Sequence, residues 1–318
     1  MPPHGLMFHH FHGDRPPHGQ GSITARQFRE LLDFVGRERI LPAWEWQQRA
    51  AHGALGSDDL CLTFDDNLRC QFDVALPVMR EAGLTGLWFI QTAVIEGTSE
   101  RLEIDRAFRM RCFAGMDAFY GAFERYLMES PLAGPVELGL REFNPRTYLA
   151  EYPFYTDGDR RFRFLRDRVL GPQRYGEVMN ALIDARGVNV EELAADLWMD
   201  EACLRQLHAE GHVIGLHSHT HPTCLAELPI EAQRQEYARN HAILADLLGE
   251  SPVAMSHPCN SYTDQTLEIL RDLGVQVGFR SNATLQTHGP LEQPREDHTS
   301  ILRQMQNIPV HCDRATTP

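Results

Sequence analysis

The segment Leu62-Thr63-Phe64-Asp65-Asp66-Asn67 constrains this chain more than any other. Cys61, Leu62 and Phe64 read as a short apolar strand leaving the turn-like Gly56-Ser57-Asp58-Asp59. Neighbouring strand side chains point to opposite faces, so two adjacent aspartates can serve one site only if the strand ends there and the backbone bends. Asn67, tolerant of left-handed backbone, suits that bend. Phe72, Ala75, Leu76 and Met79 follow at helical spacing up to Gly83, and Leu87-Trp88-Phe89-Ile90 reads as a buried strand. Strand, helix and strand in succession predict a parallel sheet with a site at the carboxyl ends of its strands.

Far downstream, Val213-Ile214-Gly215-Leu216 is a second apolar strand, running into His217-Ser218-His219-Thr220-His221-Pro222. The imidazoles of His217 and His221 are four residues apart. With one carboxylate of the aspartate pair they form a ligand set suited to zinc, a fourth position staying open for water. The other carboxylate is then free to act as a base. His219 alternates with the ligands and is not read as one.

These two segments resemble motifs of the NodB-type polysaccharide deacetylases, carbohydrate esterase family 4. Thr63 to Asn67 resembles the family's T-F-D-D-G, with Asn67 in place of glycine, and His217 to Pro222 resembles its H-[S/T]-x-x-H-P. Ser256-His257-Pro258-Cys259-Asn260-Ser261-Tyr262 is similar to the Y-P-Y-G-x-Y version of the third motif. The resemblance covers roughly two-thirds of the chain, in the family's order of strands and helices. It implies an α/β fold, a deformed (β/α) barrel of NodB type, and metal-assisted hydrolysis of an amide, usually the N-acetyl group of an amino sugar. Asp66, His217 and His221 would hold a divalent metal, zinc by preference, and Asp65 would be the base. The third motif places the Cys259 backbone amide to stabilise the oxyanion. The first strand, Leu6 to His12, matches a family strand ending in histidine, which makes His9 the first choice for the general acid, with His298 and His311 as alternates. The arginine of the R-x-P-Y version of the third motif is missing; in relatives with the other version a later P-R segment supplies it, which points to Arg295.

Between residues 97 and 200 the family pattern is interrupted by far more chain than usual. This predicts a mainly helical insertion between a first barrel part, 1–96, and a second, 201–318. Met116, Phe119, Tyr120, Phe123 and Leu127 form one helical stripe, and Tyr175, Val178, Met179, Leu182 and Ile183 another, read as a core of the insertion's own. Arg160 to Arg168 is the one locally basic segment, read either as a clamp for substrate phosphate or carboxylate or as a helix face paired with acids. Farther on, Glu227–Leu248 reads as a long helix, Pro252–Met255 and Val275–Phe279 as strands, and the chain near Ile301 as a final short helix.

Composition narrows the function. A net charge of −14 argues against nucleic acid or an anionic membrane as a partner. The sequence contains no lysine, which excludes Schiff-base and P-loop lysine chemistry. Seven cysteines without C-x-x-C spacing fit reduced thiols, with Cys61 and Cys203 as small core residues. No secretory signal or apolar span is evident, so a cytoplasmic protein without stable membrane insertion is expected. The substrate expected is an amino-sugar unit of a surface polysaccharide, or its nucleotide- or lipid-linked precursor, with a formyl group as a variant of acetyl. The alternative is an inactive carbohydrate-binding or assembly protein on the same fold.

Overall fold

The computed structural model describes residues 2–14, 18–98, 101–152, 154–283 and 289–307. Seven strands form one parallel sheet: β1 (His4–Phe8), β2 (Leu60–Phe64), β3 (Gly86–Ile90), β4 (Val213–Leu216), β5 (Ala254–Ser256), β6 (Val277–Phe279) and β7 (Arg295–Asp297). Their order is β6-β5-β4-β3-β2-β1-β7. The sheet nearly closes on itself, because Gln293 bridges Phe279 of β6 while Gly5 of β1 bonds to Pro294. This is the expected deformed (β/α) barrel.

The alternation of each strand sorts its side chains into two cores. Cys61, Leu87, Phe89, Ala254, Val277 and Phe279 point inward and pack on Trp46, Ala43 and Ala50 of the helix Ala43–Ala51, which plugs one end. Leu62, Phe64, Trp88, Ile90, Leu216 and Met255 point outward under the surrounding helices. Gly5 is a glycine for reasons of space: a Cβ there would sit 3.0 Å from Thr63 and 3.1 Å from Arg295, both inside the barrel. Capping boxes at Thr24 and Thr263 start the helices Ala25–Val35 and Asp264–Asp272.

Residues 101–194 form a set of short helices around an apolar cluster of their own, which includes Phe108, Phe119, Phe123, Phe162, Tyr175 and Met179. Where this segment returns to the barrel it pairs with the loop after β2: Leu68 bridges Trp198, and the Met199 amide donates to the Asn67 carbonyl at 3.0 Å.

Several boundaries differ from the sequence reading. The first strand stops at Phe8, leaving His9, His10 and His12 beyond its end. The long helix begins at Ile230 rather than Glu227. The larger correction is β7, a strand where the sequence suggested only the approach to a helix. Three polar residues carry no strand periodicity; they are extended because β1 offers an unpaired edge in register, Gly5, Leu6 and Met7 opposite Arg295, Glu296 and Asp297. Cys61 and Cys203 are buried as expected.

His212, just before β4, is buried against Trp88, and its Nδ1 accepts from the Gly86 amide at 3.0 Å. Burial is the main cause that lowers its pKa to about 4, with Arg80 adding to it. The unfolded side chain titrates near ~6.5, so between these values the unfolded state takes a proton that the folded state refuses, and stability falls as pH falls. The predicted slope from this residue is about 1.4 kcal/mol per pH unit. In His212→Gln, denaturant unfolding between pH 6 and pH 4.5 should lose stability with acid less steeply by that amount; an unchanged slope would refute the assignment.

Candidate active site and metal cradle

The functional side chains stand at the carboxyl ends of the strands, and local backbone geometry aims them. After Phe64 the chain leaves the extended region: Asp66 has φ 77° and Asn67 φ 58°. Two consecutive left-handed residues without glycine are strained, at roughly 1–2 kcal/mol each, and persist only where the surroundings hold them. Here the Gln71 amide donates to the carbonyls of Asp65 (2.6 Å) and His9 (2.9 Å). Asn67 donates to Met199 at 3.3 Å. The bend turns both carboxylates into one cavity.

The histidine loop is built the same way. Ser218 (φ 59°) and His221 (φ 55°) are left-handed, and the Glu236 carboxylate accepts from the backbone amides of His219 (3.0 Å) and Thr220 (2.8 Å). Asn240 accepts from the His217 amide at 3.0 Å and donates to Ile90 at 2.9 Å, tying the end of β4 to β3. Both residues belong to the helix Ile230–Leu248.

Asp66, His217 and His221 converge, their candidate ligand atoms all within 4.8 Å of one another. The Nε2 atoms of His217 and His221 lie 3.2 Å and 3.3 Å from Asp66 Oδ1. That oxygen is buried and lacks a properly directed hydrogen bond. His217 Nδ1 is 2.9 Å from the Ser256 carbonyl, which can only accept, so the proton sits on Nδ1 and Nε2 presents its lone pair. One carboxylate and two imidazoles around a shared point fit a divalent cation such as zinc. Burial pushes the Asp66 carboxyl up, but the close imidazole of His217, with His221 and His9, outweighs it and holds the group well below the carboxylate range.

Asp65 faces the barrel interior and is 2% exposed. Arg295 grips it with both ends of its fork, Nη1 to Oδ1 at 2.7 Å and Nη2 to Oδ2 at 2.8 Å. The guanidinium also donates to Ser256 Oγ (2.7 Å) and the Arg280 carbonyl (2.6 Å), and lies 5.9 Å over the Phe89 ring. Burial raises the Asp65 pKa, and the positive charge of Arg295, joined by His217, reverses the effect and lowers it. His9 Nε2 stands 3.8 Å from both Asp65 Oδ2 and Asp66 Oδ2, partly open to solvent.

The remaining sequence candidates divide. Cys259, exposed and left-handed at φ 49°, lines the same cavity. His298 also borders it, but its ring nitrogens face the carbonyls of Met7 (3.3 Å) and Gly21 (2.9 Å). His311 lies outside the described residues. His219 turns away to Thr92 and Glu96. Tyr262 stacks on His257 at 4.0 Å and donates to Glu292. In the basic segment, Arg160 donates to the carbonyls of Tyr148, Leu149 and Tyr152, while Arg161, Arg166 and Arg168 pair with Glu124, Asp167 and Glu227. Most of that segment is therefore structural.

Sequence reasoning missed Gln71, Glu236, Asn240 and the role of Ser256. A polar residue at an inward helix position was the available signal for Asn240, fully buried beside Leu244 and Tyr237. Glu103 was missed as well; it crosses from the insertion to meet His10 at 2.9 Å.

A family model described as polysaccharide deacetylase matches residues 180–278, which hold the second and third motifs. No curated protein matches the chain. Among solved structures, the Streptococcus pyogenes deacetylase PplD aligns at 14% identity over 95% of this chain and 96% of its own, with a TM-score of 0.55. IcaB from Ammonifex degensii aligns at 15% identity over 92% and 90%, TM-score 0.53. A de-N-acetylase from Aggregatibacter actinomycetemcomitans aligns at 10% over 92% and 93%, TM-score 0.52. At these identities the structures show a shared fold. Residues 180–278, which carry two of the three motifs, match the polysaccharide deacetylase family, on a barrel whose fold these solved deacetylases share.

Proposed function

We propose that the protein is a metal-dependent N-deacetylase acting on an amino-sugar unit of a surface polysaccharide or its carrier-linked precursor. The observation that carries this reading is the division of labour between neighbours: Asp66 faces two imidazoles, while Asp65 is turned to a buried arginine. A pure binding module needs no free base beside a metal cradle.

Asp66, His217 and His221 would hold a divalent ion, which would supply Lewis acidity toward an acyl oxygen and a water. Asp65 takes the proton from the attacking water as oxygen bonds to the acyl carbon. Arg295 and Ser256 fix the Asp65 carboxylate, so no rotation is needed at the moment of transfer. The Cys259 backbone amide would donate to the developing oxyanion. His9, within reach of both carboxylates and open to the cavity, would give a proton to the departing nitrogen as the C–N bond breaks, leaving acetate and a free amine. The solved S. pyogenes relative is in complex with acetate, the acid such a reaction releases. All six cysteines among the described residues are free, which accords with a reducing compartment and a cytoplasmic precursor as substrate. No helix among the described residues is long and apolar enough to cross a membrane.

The missing motif-three arginine favours an inactive binding protein; the Arg295 fork on Asp65 supports the catalytic reading instead. Acetate release from N-acetylated amino sugars, assayed with added zinc, decides between them. Asp65→Asn should lower kcat by roughly 10²–10⁴-fold; turnover equal to the parent would remove Asp65 as base. Arg295→Met should cost both kcat and about 3–5 kcat-independent kcal/mol of stability, since it strands a buried carboxylate. A variant with parental unfolding midpoint would show that Asp65 does not depend on this pair.

A further inference from the structure

The cavity over the site has a volume of about 550 Å³, and its far wall is supplied by the insertion. Five arginines reach that wall, and three are accounted for. Arg106 donates to the Gln20 carbonyl at 2.6 Å, Arg166 holds Asp167 with both ends of its fork, and Arg168 pairs with Glu227. Arg109 and Arg163 have neither a hydrogen bond nor an ion pair among the described residues. The Arg109 Nε and Nη1 atoms are buried and without a hydrogen-bond partner, a costly state for a charged group. The nearby carboxylate on its own helix, Asp105, lies 2.7 Å from Arg101 and is shared between the charges of Arg101 and Arg109, with no hydrogen bond to Arg109.

Both side chains are nevertheless held in place. The Arg109 guanidinium lies 5.2 Å over the Phe162 ring and 5.5 Å over Phe119, and Arg163 lies 4.2 Å over Tyr155. Aromatic faces fix the plane of a guanidinium while leaving its N–H edge to a ligand. The two are joined through one aromatic cluster: Arg109 lies over Phe162, whose ring is 5.6 Å from that of Tyr120 and which directly precedes Arg163 in the chain, and both arginines line the cavity. Arg109 and Arg163 line the same cavity as Asp66, His217 and His221, so the wall and the site share one space.

We infer that Arg109 and Arg163 receive a phosphoryl group carried by the amino-sugar substrate, so that the sugar is deacetylated while attached to a phosphate. Two forks on one wall offer two positive charges; a phosphate monoester carries nearly two negative ones at neutral pH, whereas a uronate carries one. The inference rests on the deacetylase reading for its sugar, but the arginine site stands or falls by binding.

The test is calorimetric titration of the zinc-loaded protein with N-acetylglucosamine 1-phosphate, N-acetylglucosamine, and a disaccharide whose single negative charge is one glucuronate. The 1-phosphate should bind at least tenfold tighter than the uncharged sugar. Arg163→Met, at a half-buried position that tolerates the change, and Arg109→Lys, which keeps charge and loses the fork, should each remove most of that preference without altering zinc content or affinity for the uncharged sugar. Equal binding of charged and uncharged sugars, or a preference that survives both substitutions, overturns the inference. An arginine-dependent gain for the glucuronate sugar alone overturns the phosphoryl assignment. If the preference holds and no acetate is released from any of these sugars, the deacetylase reading fails and the anion site remains.

Discussion

The ion pair between Arg295 and Asp65 is the constraint on which the structure turns. A carboxylate and a guanidinium sit inside a barrel otherwise filled by Phe89, Phe279, Val277 and Leu87. Either charge alone would cost several kcal/mol to bury, and together they roughly offset that cost only with bidentate geometry and every remaining donor satisfied. Ser256 and the Arg280 carbonyl satisfy them. Such a pair does little for net stability compared with apolar packing of the same volume; what it fixes is register. Arg295 reaches Asp65 only if β7 pairs with β1 as it does, and β1 with β2, which opposes Phe8 to Phe64. Closing the barrel and setting the Asp65 carboxylate are thus one event.

Strain is concentrated where that event delivers its result. Asp66, Asn67, Ser218, His221, Cys259 and Asn260 all adopt left-handed backbone without being glycine, and all lie within five residues after the end of β2, β4 or β5. The Asp-Asp turn and the histidine loop are held from outside the site, by Gln71, Asn240, Glu236 and the returning edge of the insertion at Met199. The insertion therefore has two attachments to the chemistry: it clamps the Asp-Asp turn through Asn67 and Leu68, and it walls the cavity with arginines and with Glu103.

Much of this was legible in the sequence, and the legible part has a physical reason. Strands such as Leu60–Phe64 and Gly86–Ile90 are apolar throughout because both faces of a parallel barrel strand are buried, and such runs stand out. Asp65-Asp66 and His217 to His221 stand out because ionisable groups directly after an apolar strand have little purpose in a core. The strand Arg295–Asp297 was illegible: it is three residues long, polar, and extended only because of its partner, so that Arg295 could be reached through family resemblance alone. Gln71, Glu236 and Asn240 were hidden for a similar reason. They act through backbone groups far away in sequence, which no local pattern encodes. For the arginines at 160–168 the reading as a helix face paired with acids holds for Arg161, Arg166 and Arg168, but a run of charge does not say which members have partners.

The account makes two neighbouring aspartates do separate work, one in a metal cradle and one on an arginine. Zinc content of purified Asp65→Asn and Asp66→Ala, measured beside the parent after dialysis against trace metal, addresses that separation most directly. The account predicts about one equivalent in the parent and in Asp65→Asn, and none in Asp66→Ala, with all three folded. Loss of the metal from Asp65→Asn, or its retention in Asp66→Ala, would contradict it.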